Sequence, residues 1–313
     1  MEVGFDKVKI WIDRATAGEQ FPTIANYLDS AKEETDLKTG EVKTIGCIEG
    51  LKVSVFAGGL SVIGSWPKFM FGSNVFPLDR HTAAKVIEKI SDTLHIQASE
   101  GIVTSIEFGA NYLLKEPVGQ YLSRLGTMQR FQRVQLSPTS IRYEGKGKQQ
   151  PKVFAFYDKI ADAEAKGMEH PEELKNLLRY EIRLKGRLPF QLSVPEVKAS
   201  TLTDTQFYRT MVKYYLDSYF SISKLNQIKT NVMSEIKTPA DALDVFFARL
   251  ITDPNQIAGF LDELKQASVF KDRKNYSRVK EMILKVASKA NITISDELIK
   301  ELDDEVKNSG AYI

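Results

Sequence analysis

The segment PKVFAFYDKIADAE (residues 151–164), followed after a short polar stretch by LLRYEIRLKG (residues 177–186), decides the predicted fold. Val153 to Tyr157 is an apolar run of β-favouring residues, which predicts a strand. From Leu177 to Lys185 the residues begin apolar and then alternate, which predicts a second strand with two different faces. One face carries Tyr180, Ile182 and Leu184, and the other carries Arg179, Glu181, Arg183 and Lys185.

Together these two strands predict a site suited to phosphodiester chemistry. Tyr157 offers a nucleophilic hydroxyl, and Lys159 and Arg179 offer positive charge. Glu181 offers a ligand for a metal ion. A purely structural interpretation stays open beside this one, in which Tyr157 is a half-buried strand residue and Glu181 an ordinary solvated acid.

Composition sets wide limits on the class of protein. The chain has 313 residues, of which 42% are hydrophobic and 27% charged, and this predicts one large or two ordinary globular domains. The net charge of +2 does not by itself name a nucleic-acid partner. The single cysteine, Cys47, excludes an intramolecular disulfide and fits a reducing cytoplasm. We predict no signal peptide and no membrane helix, and therefore a cytoplasmic protein.

The three histidines, His81, His95 and His170, are scattered singly along the sequence. They form no H-x-H pair and no HExxH motif. A metal site would therefore be built from carboxylates, which favours Mg²⁺ or Mn²⁺ over zinc.

The whole chain predicts an α+β fold with an antiparallel sheet. Strands are expected at residues 6–13, in three glycine-separated runs of a β meander within 44–74, and at 102–108. Helices are expected at 82–94, 118–125 and 164–178. After Pro195 every segment looks helical, with an aromatic helix at 204–225 and a basic amphipathic one at 271–289. We therefore predict an α+β domain over residues 1–195 and a helical domain, for DNA binding or self-association, over residues 196–313.

The region from Arg124 to Lys152 is strongly basic and contains a single acid, Glu144. Interleaved Phe131 and Tyr143 could stack on unpaired bases, and the basic residues could contact a nucleic-acid backbone. An ordinary solvated hairpin is the alternative. The basic residues are Arg124, Arg130, Arg133, Arg142, Lys146, Lys148 and Lys152.

Four segments resemble a known family. FDKVKIWI, at residues 5–12, is similar to a first strand that begins with Asp, and GSWPKFMFGSN, at 64–74, is similar to a G-S-x-x-K-F-x-x-G-N-N block. SIEFGANY, at 105–112, occupies the place of an R-x-D-x-A-x-N motif. FYDK and RYEIRLK are similar to Y-D-K and R-x-E-x-R-x-K signatures. Over residues 5–190 the chain thus resembles the phage and plasmid replication initiators related to the filamentous-phage gene II family and to the Rep_trans-type rolling-circle initiators.

The resemblance implies a nicking-endonuclease domain of the kind shared with relaxases. It implies a replication initiator that cuts one DNA strand at an origin through a 5′-phosphotyrosine link. Tyr157 matches the nucleophile, with Lys159 beside it. Glu181 matches the acid of the R-x-E motif and Glu107 stands at the family's Asp position, so that these two would hold Mg²⁺ or Mn²⁺.

Two departures from the family pattern support alternatives. Ser105 replaces the motif's arginine, and Asn111 is neutral where plasmid initiators often have an acid. A non-cutting, sequence-specific DNA-binding protein with the same fold, and a protein with no nucleic-acid role, therefore stay open. The expected partner is DNA, as a single strand or an origin hairpin. A homodimer and a host helicase or polymerase remain open as further partners.

Overall fold

The computed structural model describes residues 2–74, 77–145, 151–167, 174–225, 227–228, 232–250, 254–287, 293–294 and 296–311. The strands are β1 (Gly4–Asp13), β2 (Asp29–Thr35), β3 (Val42–Ile48), β4 (Leu51–Phe56), β5 (Gly59–Ser65), β6 (Ile102–Leu113), β7 (Leu125–Met128), β8 (Gln132–Ser137), β9 (Ser140–Glu144), β10 (Lys152–Asp158), β11 (Leu177–Lys185), β12 (Ile222–Lys224), β13 (Gln227–Ile228) and β14 (Thr293–Ile294). The α-helices are α1 (Arg14–Ala17), α2 (Trp66–Phe71), α3 (Arg80–Leu94), α4 (Val118–Leu122), α5 (Lys159–Ala165), α6 (Leu188–Leu192), α7 (Thr205–Phe220), α8 (Pro239–Leu250), α9 (Pro254–Gln266), α10 (Arg273–Ala287) and α11 (Glu297–Ser309). Short 3₁₀ helices cover Gly18–Tyr27, Ala98–Glu100, Ser200–Thr203 and Val232–Glu235.

Ten of the described strands form one sheet, in the order β2-β3-β4-β5-β1-β6-β11-β10-β9-β8. Every pair of neighbours is antiparallel. The predicted α+β class with an antiparallel sheet is confirmed at this level. The central strands β1, β6, β11 and β10 stand side by side, although they come from distant parts of the chain.

One face of the central strands is an aromatic core. The ring of Phe156 stacks on that of Tyr180 with centroids 4.2 Å apart, and Tyr215 of α7 lies 4.3 Å beyond Tyr180. The hydroxyl of Tyr112 lies 2.8 Å from that of Tyr215 and 3.0 Å from that of Ser309. Ser309 is the last residue of α11 and is buried in the same core. The aromatic helix expected at 204–225 is observed as α7, and it buries Phe207, Tyr208, Met211, Val212, Tyr215 and Tyr219 in this core.

The opposite face of these strands is polar, because side chains alternate along each strand. Tyr157 stands across from Arg179, Arg179 from Asn111, and Arg183 from Glu107. The alternation predicted for residues 179–185 is therefore confirmed, with Tyr180, Ile182 and Leu184 fully buried on the aromatic side.

Two predicted helices differ from the observed ones. The helix expected at 118–125 ends at Leu122, because Leu125 and Gly126 belong to β7 and pair with β12. Of the helix expected at 164–178, residues 168–173 lie outside the described residues. In the described part, α5 begins at Lys159 and ends at Ala165, and β11 begins at Leu177. Asp158 explains the early start: its carboxylate accepts hydrogen bonds from the backbone N–H groups of Ile160 and Ala161 and so caps α5.

The C-terminal third was expected to be entirely helical, and this is wrong at three places. Strand β12 pairs with β7, and the short strands β13 and β14 pair with each other. Helices α7 and α11 share the core of the sheet, while Val232, Val245 and Ala248 form a small separate cluster near α8. The division of the chain at residue 195 stays a prediction.

Candidate active site

The register between β10 and β11 brings the predicted catalytic residues together. Tyr157 stands opposite Arg179, and Ala155 stands opposite Glu181, so these side chains share the polar face. The Tyr157 hydroxyl donates to Glu181 Oε2 at 3.3 Å. The predicted grouping of tyrosine, arginine and acid is therefore present as a hydrogen-bonded cluster.

Glu181 is held by two arginines. Arg179 Nε donates to its Oε2 at 3.0 Å, and Arg183 Nε donates to its Oε1 at 2.7 Å. Both carboxylate oxygens thus accept charge-assisted hydrogen bonds, although the residue is 1% exposed. Burial alone would raise the pKa of Glu181, but Arg179 and Arg183 outweigh burial and hold that pKa below its usual range.

Arg179 is itself fully buried and connects three strands. Besides Glu181, its guanidinium donates to Asp6 Oδ2 at 2.8 Å and to Asn111 Oδ1 at 3.3 Å. The other oxygen of Asp6 accepts the Ser65 hydroxyl at 2.7 Å. Asp6 was not among the predicted site residues, although the resemblance of the first strand to one beginning with Asp was a signal for it.

Lys159 lies at the first position of α5 and turns back toward the same face. Its ammonium group donates to Asn74 Oδ1 at 3.3 Å, and the residue is 5% exposed. Burial lowers the pKa of Lys159, and the nearby positive charge of Arg179 lowers it further. Asn74, like Ser65, belongs to the GSWPKFMFGSN segment, which therefore packs against the predicted catalytic residues.

An open cleft of about 580 Å³ lies over this cluster. Six basic and four acidic residues line it, together with Tyr157, so the surface is suited to an anionic ligand. Arg179 is not among the lining residues, and Arg183, with a side chain 34% exposed, offers the accessible guanidinium. The charged lining residues are Lys7, Lys52, Lys68, Lys159, Lys166, Arg183, Asp6, Glu107, Asp162 and Glu181.

The hydroxyl of Tyr157 is a poor nucleophile in this state. Burial raises its pKa well above 10, and the negative charge of Glu181 raises it further. Glu107 lines the same cleft, and burial followed by the charge of Glu181 raises the pKa of its carboxyl as well. Any attack by Tyr157 therefore requires that its proton leave as the new bond forms.

The expected metal pair, Glu107 and Glu181, does not fit a divalent cation as arranged. Both oxygens of Glu181 already accept hydrogen bonds from arginines, and a cation would have to displace one guanidinium. Within the part of the chain that the structure describes, no group of three or more His, Cys, Asp or Glu residues could hold a metal ion. The binding of Mg²⁺ or Mn²⁺ stays a prediction.

Several residues of the predicted DNA-binding segment contact the protein itself. Arg124 pairs with the buried Asp296 at 2.6 Å, and Arg142 pairs with Glu144 at 2.9 Å. Arg133 is 8% exposed, and its guanidinium donates to the backbone carbonyls of Leu122 and Leu125. These charges have structural partners, which a count of basic residues does not reveal.

The other four basic residues of this segment, Arg130, Lys146, Lys148 and Lys152, do not share one environment. The Lys152 ammonium lies 5.0 Å from the centre of the Tyr214 ring, on the aromatic side of β10 and away from Tyr157. Arg130 is exposed. Lys146 and Lys148 lie outside the described residues. The structure thus brings together Tyr157, Lys159, Glu107 and Glu181 in one cleft. None of the five described basic residues of the segment lines this cleft.

No family model matches this chain, and no curated protein matches it either. In the described ranges, no helix combines the length and the apolar character that crossing a membrane requires.

Proposed function

We propose that this protein cuts and rejoins one strand of DNA with the Tyr157 hydroxyl as nucleophile, as a replication initiator does. The observation that carries the proposal is the hydrogen bond from Tyr157 to the arginine-clamped Glu181 in a cleft rich in cations. A tyrosine with a carboxylate acceptor and cationic neighbours is the set of groups that phosphoryl transfer to a side chain requires.

In the proposed step, a new bond forms between the phenolic oxygen and phosphorus while the bond from phosphorus to the 3′ oxygen breaks. The phenolic proton passes to Oε2 of Glu181, 3.3 Å away. The leaving 3′ oxygen takes a proton from solvent. Lys159 and Arg183 line the cleft and would offset the charge that develops on the phosphate oxygens.

The reverse reaction uses the same groups. The phosphotyrosine keeps the number of phosphate ester bonds unchanged, so a 3′ hydroxyl can attack it and reseal the strand. Glu181 then returns the proton to the phenolic oxygen. Mg²⁺ or Mn²⁺ would bind through Glu107 and Glu181 only if a guanidinium left Glu181, and it would then supply further neutralisation of the phosphate.

A second candidate function is a DNA-binding protein that does not cut. It is favoured by the raised pKa of Tyr157, which keeps the hydroxyl protonated at neutral pH. In such a protein the cations of the cleft would still hold a nucleic-acid backbone.

Covalent capture tests the proposal. The full chain is incubated with a single-stranded DNA pool and Mn²⁺, with and without EDTA, and its intact mass is measured. We expect a nucleotide adduct that maps to Tyr157 and is absent from Tyr157→Phe. Tyr27→Phe is the matched control, since Tyr27 is an exposed tyrosine outside the cleft, and it should retain the adduct.

DNA binding by Tyr157→Phe separates the two candidates. Retained binding together with an adduct in the wild type supports the strand-cutting initiator. DNA binding by the wild type without any adduct would replace it with the non-cutting protein, and an adduct on another residue would refute the role of Tyr157.

A further inference from the structure

A second cleft adjoins the first at Tyr157. Its volume is about 330 Å³, and it shares Tyr157, Asp162, Lys166 and Arg183 with the larger cleft. Its far wall is the tip of the β8–β9 hairpin, residues 136–140, which we call the β8–β9 turn. The turn contributes Leu136, Ser137, Thr139 and Ser140. The two clefts therefore form one continuous groove, and the proposed nucleophile lies at the junction.

The two arms of this groove differ in chemistry. Beyond the junction, the larger cleft presents Lys7, Lys52 and Lys68, whose charges suit phosphate groups. Beyond the junction, the smaller cleft presents three hydroxyl side chains, Ala161 and Leu136, which is 54% exposed. Its one acid outside the junction, Asp158, uses its carboxylate to cap α5. Hydroxyls and an apolar side chain suit the uncharged parts of a nucleotide, its base and its sugar.

The β8–β9 turn is fixed relative to Tyr157. Ser140 stands directly opposite Tyr157 in the sheet, and the backbone N–H of Asp158 donates to the carbonyl of Thr139 at 2.9 Å. Within the turn, the N–H of Thr139 donates to Ser137 Oγ at 3.2 Å. A subsite built on paired strands holds its groups at set distances from the nucleophile, which selectivity requires.

We infer that the turn Leu136–Ser140 is a base-reading subsite, which holds one unpaired nucleotide next to the phosphate that lies against Tyr157. The inference rests on the proposed function for the position of that phosphate. The volume of the cleft lies at the small end of the range for ligand pockets, about 300–1,000 Å³. The other arm, with Lys7, Lys52 and Lys68, would bind the DNA backbone without distinguishing one base sequence from another.

The test uses the full chain carrying Tyr157→Phe, so that binding is measured without cleavage. Sequences are selected from a randomised single-stranded DNA pool by this parent, and by the parent with Leu136→Ala or Thr139→Val. In each variant, we expect the preference for one base over the others to fall about two- to tenfold at one position of the selected DNA sequence. This change corresponds to the loss of one hydrogen bond or apolar contact. Leu113→Ala is the matched control, an exposed leucine on β6 outside both clefts.

Lysine variants provide the contrast within the same groove. Lys52→Ala and Lys68→Ala should weaken binding to all sequences alike and reduce its salt dependence. Lys38→Ala, in the turn between β2 and β3, should do neither. Unchanged sequence preference in both Leu136→Ala and Thr139→Val would overturn the subsite, as would loss of preference spread evenly over all positions.

Failure of the subsite and failure of the proposed function give different results. An adduct on wild-type Tyr157, with sequence preference intact in the turn variants, would leave the strand-cutting activity standing and refute the subsite. A loss of preference in the turn variants, without any adduct in the wild type, would support the subsite in a protein that binds and does not cut.

Discussion

Arg179 donates its Nε proton to Glu181 Oε2 at 3.0 Å, and the two residues lie two positions apart on the same strand. The guanidinium is fully buried and also donates to Asp6, so it contacts two buried carboxylates, one from β1 and one from β11. This relationship makes Arg179 a positioning residue for Glu181, because it lies beneath the cleft and does not line it. The catalytic role expected for Arg179 stays a prediction, and Arg183 is the arginine that lines the cleft.

Replacing Arg179 with methionine should destabilise the protein strongly. Two carboxylates would lose their buried partner, which costs about 3–5 kcal/mol in comparable cases. Urea unfolding followed by circular dichroism measures the free energy of unfolding. Arg209→Met, an exposed arginine on α7, should change it by less than about 0.5 kcal/mol. Equal stability of the two variants would contradict the buried network.

Gly109 should not tolerate a side chain. It stands opposite Glu181 on β6, and an added Cβ would lie 2.3 Å from the Tyr180 carbonyl oxygen and 2.7 Å from the Cβ of Glu181. We expect Gly109→Ala to cost roughly 1–3 kcal/mol by overpacking and to displace Glu181 from Tyr157. The temperature of thermal unfolding and the amount of nucleotide adduct should both be lower than in the wild type. Gly58→Ala, where an added Cβ meets nothing within 4 Å, is the control, and an active, fully stable Gly109→Ala would refute the close contact.

Stability above neutral pH should depend on Lys224. Burial lowers the pKa of Lys224 to about 8, while the unfolded chain has the ordinary value of about 10.4. Between these values the unfolded state binds a proton that the folded state has lost, so the contribution of Lys224 to stability rises with pH by up to about 1.4 kcal/mol per unit. Below about pH 8 both states are charged, and this contribution is flat.

The measurement compares the wild type with Lys224→Met by urea unfolding from about pH 7 to about pH 9.5. The difference in free energy of unfolding, wild type minus variant, should increase across the upper part of this range. Lys213→Met, whose side chain is 76% exposed, should show no such trend. A constant difference for Lys224→Met would show that this lysine titrates normally.

Mn²⁺ binding should be limited by Arg183. Its guanidinium donates a hydrogen bond to Glu181 Oε1. Arg183→Gln would therefore free this carboxylate oxygen for a metal ion and remove a positive charge from the cleft. In calorimetry without DNA, we expect weak binding by the wild type, tighter binding by Arg183→Gln and none by Arg183→Gln combined with Glu181→Gln. Tight binding by the wild type that is unaffected by Arg183→Gln would contradict this competition.

The local part of the site could be predicted from the sequence. Alternation from Arg179 to Lys185 is a property of any strand, so it correctly placed Tyr180 and Glu181 on opposite faces of the sheet. The same reasoning could not show that Arg179 is buried beneath the cleft. Its burial depends on Asp6, 173 positions away, and on the order in which the strands pair.

The basic segment illustrates the same limit. A count of charges between Arg124 and Lys152 predicts a surface for nucleic acid, because exposed cations attract phosphates. The partner of Arg124 is Asp296, and the partners of Arg133 are backbone carbonyls, which no composition can indicate. The early start of α5 was, in contrast, readable from Asp158, since aspartate is a favoured N-cap.

Strand β2 is an edge strand of the ten-stranded sheet, and its sequence, DSAKEET, has polar residues on both faces. An exposed edge strand is a template on which another chain could add a strand, and charged side chains oppose this. The charged side chains of β2, among them Lys32, Glu33 and Glu34, therefore disfavour growth of the sheet into fibrous aggregates through this edge.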